Sequence, residues 1–125
     1  MNTLFFEGTR KTPRINFDCS TGIFEFSGRS IPENPIEFYN PILNWLDAYT
    51  QIPQDLTILK VQLEYFNTSS SKCILDIFKK FEVLHKQGHK VVIEWYYEED
   101  DEDMLESGED YSSIIRVPFI TKELN

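Results

Sequence analysis

Cysteine is scarce in this chain: Cys19 and Cys73 are the whole supply. Two thiols so far apart make neither a disulfide framework nor a zinc cluster, so both are expected to be small buried hydrophobes. No stretch approaches the ~20 consecutive apolar residues of a membrane span, so no membrane insertion is expected. The opening MNTLFFEGTRK lacks a basic segment followed by a long apolar run, so no signal peptide and a cytoplasmic location are expected. Positive charge is also in deficit, with 12 Lys and Arg against 21 Asp and Glu. Nothing resembles a phosphate-tracking basic stripe, which argues against nucleic acid as a partner. GxGxxG, P-loop and GxSxG patterns are missing too, as is any paired acid, base and nucleophile. No catalytic residue, cofactor or metal is therefore expected. His85 and His89 sit at i and i+4, but one follows the last apolar residue of a helical pattern and the other follows Gly88. They read as solvated helix-end groups.

What is present describes a globular chain. Its 125 residues are 41% apolar, enough for one domain over 1–125 with its own core. The charge is unevenly placed. Residues 98–110, EEDDEDMLESGED, hold nine carboxylates and no base, while the rest of the chain is balanced; the whole carries −9.

Alternation marks strands at a weak first segment, Leu4 to Phe6, and at 14–28, where Cys19-Ser20-Thr21-Gly22 supplies a hairpin turn. Asn34-Pro35-Ile36-Glu37 has a helix-start pattern. Pro41 falls two turns later, so the pattern predicts a short turn at 34–40 and a main helix over 41–50. Residues 57–66 alternate again, with Leu59, Val61, Leu63 and Tyr65 on one face. A helix follows, with Ile74, Ile77, Phe78, Phe81 and Leu84 at 3-and-4 spacing and Gly88 as its stop. A central strand at 90–97, the acidic segment and a last strand at 114–120 complete the order. Strand–helix–strand repetition predicts an α/β fold: a mixed sheet with an N-terminal antiparallel hairpin and helices packed on it.

Thr68-Ser69-Ser70-Ser71, after Asn67 and before Lys72, stands between strand and helix. One hydroxyl of the run caps the helix; a cap accounts for one residue, not four. Lys72 puts a positive charge at the positive end of the dipole, where it either pairs with Asp76 at i+4 or suits a held anion. The run is thus either a cap alone or also a phosphate acceptor, since a phosphate there would lie at the anion-favouring end of the helix. Arg29 is either an anion contact or half of a surface ion pair. The acidic segment is a solvated loop or helix, or a partner-facing surface built on Asp100, Asp101 and Asp103; its spacing does not match a calcium loop.

TPRINFD, GRSIPENPIEFYNPILNWL, LEYFNTSSSK and EWYYEEDDEDMLESGEDY together resemble the SiaC family of bacterial regulatory phosphoproteins. Ile31 departs from the aromatic expected between GRS and PEN. The resemblance covers almost the whole chain and implies a STAS-like fold, the class of the anti-sigma factor antagonists. It implies a partner-switching system in bacterial signalling. By the same resemblance a Ser/Thr protein kinase is expected to add phosphate and a metal-dependent 2C-type phosphatase to remove it. The unphosphorylated form is then expected to bind and activate a diguanylate cyclase, with c-di-GMP-dependent biofilm and aggregation control as output. The family's phosphorylated Thr falls on Thr68, with Ser69, Ser70 and Ser71 as minor candidates. Asn67, Lys72, Arg29 and the three aspartates are the expected partner contacts. The alternative is a non-covalent binding module or small-molecule sensor with no phospho-switch, which an apolar pocket holding a ligand would favour.

Overall fold

Alternating Phe and Ile build the first strands, and the computed structural model, which describes residues 1–124, pairs them as a meander. β1 (Leu4–Phe6) runs antiparallel to β2 (Arg14–Asp18), and β2 to β3 (Ile23–Ser30). The turn between β2 and β3 ends on Gly22, whose φ is 79° and where an added Cβ would meet the Leu56 carbonyl oxygen at 2.3 Å. Conformation and space both demand glycine there.

From β3 onward every strand is parallel to the last. Helix α1 (Pro35–Tyr49) leads to β4 (Leu56–Phe66), α2 (Thr68–Lys86) to β5 (Lys90–Glu98), and α3 (Glu102–Ile114) to β6 (Phe119–Leu124). Sheet order equals sequence order, β1-β2-β3-β4-β5-β6. Parallel neighbours need a crossover, and three successive helices supply it. Ile15, Phe17, Phe24, Phe26, Val61 and Trp95 point from the sheet into one core shared with the inner faces of all three helices. The opposite sheet face carries part-exposed Asn16, Glu25, Lys60 and Glu94. All three helices thus begin at the carboxyl edge of the parallel strands, which places Asn34, Asn67 and Asp101 at one end of the sheet.

Three expectations need correction. The first concerns Pro41, which does not restart the first helix: α1 is continuous from Pro35, capped by Asn34, whose Oδ1 accepts the Glu37 N–H at 3.1 Å. Pro41 and Glu37 are both exposed. The carbonyl that proline deprives of its partner therefore meets water, and the helix survives. Second, Tyr65 does not share the inner face of Leu63. The β3–β4 register shifts between Gly28 and Arg29, pairing Gly28 with Leu63 but Arg29 with Tyr65. The extra residue, Glu64, reverses the alternation, so Tyr65 is exposed and Phe66 turns in toward Trp95 and Tyr111. Third, 114–120 is not a strand: α3 runs through Ile114, and β6 starts only at Phe119. Met104, Gly108 and Tyr111, at i, i+4 and i+7, are the buried stripe that makes the acidic segment a helix. Pro118 stands just before the edge strand and donates nothing to it.

Candidate functional site

Asn67 is the single residue between β4 and α2. Its backbone is extended, and its Oδ1 accepts the Ser70 N–H at 3.0 Å, so it is the N-cap. The cap is therefore Asn67 and not a hydroxyl; Thr68 to Ser71 fill the first four helical positions.

The four hydroxyls differ in their surroundings. Ser70 is fully buried, and its Oγ donates to the Ser30 carbonyl oxygen at 3.0 Å. Ser30 Oγ in turn donates to Ser70 Oγ at 2.9 Å. That proton is then used, so the Tyr39 phenol must donate to Ser30 Oγ. Burial holds the Tyr39 pKa far above its ordinary value, so the phenol keeps its proton. This closed chain ties α2 to β3 and α1, and it removes Ser70 from the candidates a kinase can reach in the folded chain. Ser69 Oγ donates to Asn67 Oδ1 at 3.1 Å, and Ser71 Oγ donates to the Thr68 carbonyl oxygen at 2.6 Å. Thr68 is exposed, and its hydroxyl has no hydrogen-bond partner among the described residues. A second tie comes from α3: the Tyr111 hydroxyl donates to the Ser71 carbonyl oxygen at 2.8 Å. The phenol of Tyr111 is also raised by burial.

Lys72 is exposed and does not pair with Asp76; among the described residues no carboxylate lies within ion-pair reach of it. It borders a groove of about 390 Å³ between α2 and α3, with Phe66, Leu75, Tyr111 and Ile114 as apolar lining and Asp110 on the far side. Arg29 forms no surface ion pair among the described residues; its guanidinium lies 5.6 Å from the centroid of Tyr65, the side chain that the strand irregularity turned outward.

Asp101 is the N-cap of α3, its Oδ1 accepting the Met104 N–H at 3.0 Å, and Asp103 sits in the first turn. Acidic groups at a helix start oppose the positive dipole end, which makes this charge run a favourable beginning for a helix. Asp100 is exposed in the preceding turn. None of the nine carboxylates from 98 to 110 is ion-paired among the described residues. Nor does any group of three or more His, Cys, Asp or Glu among the described residues converge to hold a metal. Cys73 is buried, which raises its thiol pKa, but Cys19 is only half-buried, against expectation. Its thiol donates to the Met1 carbonyl oxygen at 3.4 Å.

Ser30, Tyr39 and Tyr111 went unread in the sequence. Ser30 and Tyr111 each bond a member of the run across 40 residues of sequence, and Tyr39 reaches it only through Ser30; no local pattern signals such contacts.

Comparison with known proteins places this arrangement. The chain is 32% identical over 119 residues to an uncharacterized protein of Pseudomonas aeruginosa (strain UCBPP-PA14), covering 95% of this chain and 94% of that one. The solved structure of SiaC of Pseudomonas aeruginosa superposes with a TM-score of 0.90 at 29% identity, over 99% of this chain and 100% of that one. A chain of the crystal structure of diguanylate cyclase SiaD in complex with its activator SiaC, from the same organism, superposes at 0.91 with 30% identity, over 97% and 99%. The family model described as SiaC family regulatory phosphoprotein matches residues 6–124. The chain belongs to the SiaC family of regulatory phosphoproteins.

Proposed function

We propose that this protein is a phosphorylation-controlled partner switch. Without phosphate it binds and activates a diguanylate cyclase; phosphate on Thr68 releases the cyclase. A Ser/Thr protein kinase transfers the γ-phosphoryl group of ATP to Thr68 Oγ1, the hydroxyl proton passing to a base of the kinase. A metal-dependent 2C-type phosphatase returns the hydroxyl by hydrolysis.

The observation that carries this reading is the isolation of one hydroxyl. Of four at the start of α2, Thr68 alone is exposed and without a hydrogen-bond partner among the described residues. Resemblance to SiaC, the activator in the solved complex with SiaD, supports the choice of partner. The chemistry of the position supports the modification. Among the described residues the Thr68 and Ser69 N–H groups have no partner, and the helix dipole favours negative charge beside them. A phosphate of about −1.5 to −2 charge is therefore accepted without disturbing the helix. A partner that covers Thr68 would have to strip that phosphate of water, which is costly without a counter-charge. Separation follows from the surface alone, and a few kcal/mol reverses occupancy.

The test is cyclase activity against phosphorylation state. Unmodified protein and Thr68→Ala should both raise cyclase turnover, and only the first should lose that ability after kinase treatment. If kinase treatment abolishes activation by Thr68→Ala as well, with phosphate mapped elsewhere by mass spectrometry, Thr68 is not the switch.

A further inference from the structure

All three helices pack on one side of the sheet, and the other side is open. Across that open face the register aligns Asn16, Glu25, Lys60 and Glu94 in one row. Both carboxylates have partners. Glu25 Oε1 accepts from Asn16 Nδ2 at 3.3 Å, with Arg14 Nη1 at 3.8 Å, and Glu94 accepts from Lys122 and Tyr96. Lys60 stands between the two, about 4.8 Å of strand spacing from each. Opposite charges so placed ordinarily close on each other. Lys60 nevertheless pairs with neither among the described residues. Beside it the face is hollow: Glu25, Ser27, Lys60, Gln62 and Tyr96 line a cavity of about 310 Å³, at the small end of the range for ligand pockets, about 300–1,000 Å³. Among the described residues the Lys60 ammonium, the Ser27 hydroxyl, the Gln62 amide and Glu25 Oε2 have no hydrogen-bond partner. Tyr96 is the fixed wall. Its hydroxyl is held by Glu94, and Lys122 Nζ lies 5.9 Å from its ring centroid on the β6 side.

We infer that this cavity is a binding site for a small zwitterion of the amino-acid class. Its carboxylate accepts from the Lys60 ammonium, and its ammonium donates to Glu25 Oε2. The Ser27 hydroxyl and the Gln62 amide take its remaining hydrogen bonds, and its side chain lies along the Tyr96 ring. Two adjacent, unpaired groups of opposite sign select for a ligand that carries both signs. A ligand with one charge covers one of these groups and leaves the other stripped of water without a partner. The chain as a whole carries −9, but on this part of the sheet Arg14, Lys60 and Lys122 outnumber Glu25 and Glu94, so a carboxylate is not repelled. The site is on the sheet face that no helix covers, and it stands independently of the partner-switch reading.

The experiment begins with each common amino acid titrated to millimolar concentration into 15N-labelled protein. At least one should shift the Ser27, Lys60, Gln62 and Tyr96 amides together. The best of them is then compared by calorimetry with two blocked forms: its carboxamide, which is only a cation, and its N-acetyl derivative, which is only an anion. Each blocked form should bind at least about tenfold more weakly, because it leaves one charge of the site unanswered. Lys60→Gln should erase the preference for the free amino acid over its carboxamide. Glu25→Gln should erase the preference over the N-acetyl form. Melting temperatures check that both variants are folded, and Lys79→Gln, at an exposed lysine on α2, is the control that should bind as wild type does. The inference is overturned if no amino acid shifts those four amides, or if a blocked form binds as tightly as the free amino acid. It is overturned equally if either folded variant keeps the wild-type selectivity. Should Lys60→Gln not fold, the selectivity of Glu25→Gln decides.

Discussion

Asn67 and Thr68 are adjacent, polar and both eligible as caps, yet they bear different loads. Asn67 satisfies the Ser70 N–H, while the Thr68 side chain satisfies nothing among the described residues. Asn67→Ala should therefore lose about 1 kcal/mol of stability, and Thr68→Ala less than about 0.5 kcal/mol. Urea unfolding of the two variants measures the contrast; equal losses would show that Thr68 shares the cap. Ser70→Ala should be the worst of the run, at about 1–3 kcal/mol, because it leaves the buried Ser30 hydroxyl without its acceptor. The sequence placed a cap and a hydroxyl run here, but it could not rank the hydroxyls. Asn, Ser and Thr compete for the same role, and burial of Ser70 depends on Ser30, forty residues away.

Among elements, α3 was the hardest to read. Its carboxylates hid the spacing of Met104, Gly108 and Tyr111, and the β-branched pair Ile114-Ile115 at its C-terminal end imitated a strand. Gly108 is the residue that lets α3 approach β5. A Cβ there would stand 2.5 Å from Trp95 Cδ1 and 2.7 Å from its Nε1. That indole is fully buried and donates to the Met104 carbonyl oxygen at 2.9 Å, so it cannot step aside. Helix propensity alone would make Gly108→Ala stabilising by up to about 1 kcal/mol. The overpacked ring should win, for a net loss of about 1–3 kcal/mol, seen as a lower melting temperature. A rise would mean that α3 is loosely seated.

The far edge of the sheet has its own titratable link. Lys122 Nζ on β6 donates to Glu94 Oε2 on β5 at 2.8 Å, and the Tyr96 hydroxyl donates to Glu94 Oε1 at 3.0 Å. Burial pushes the Glu94 carboxyl up, but these hydrogen bonds and the Lys122 and Lys60 charges outweigh it and hold it below the usual value. A carboxyl lower in the folded than the unfolded chain adds stability that is complete above the unfolded pKa of about 4.3 and fades as pH falls through the folded one. Lys122→Met should flatten that part of the acid limb of a stability–pH curve. An unchanged acid limb would show that the pair is not coupled to folding.

For the molecule as a whole, the antiparallel hairpin and the strand–helix crossovers were legible because strand and helix periods alternate from residue 14 to residue 97, whereas the pairing of β1 and the order of the sheet were not. What local pattern could not show is how firmly the start of α2 is held. Tyr39 and Ser30 grip Ser70 from one side, and Tyr111 grips the Ser71 carbonyl from the other. Both phenols keep their protons at ordinary pH, so neither tie is released by titration near neutrality. Thr68 is exposed at the tip of this clamped turn. A phosphate added there has no buried contact to break, and it meets the favourable end of the helix dipole, worth about 0.3–1 kcal/mol. Phosphorylated protein should therefore melt at the same temperature as unmodified protein or a few degrees higher. Its amide hydrogen exchange should be unchanged from Ser70 through Leu75. Thr68→Asp, with about half the charge, should show the same stability and only partial loss of cyclase binding. Loss of exchange protection along the first two turns of α2 on phosphorylation would identify a switch that works by unfolding, and would set aside a switch confined to the surface.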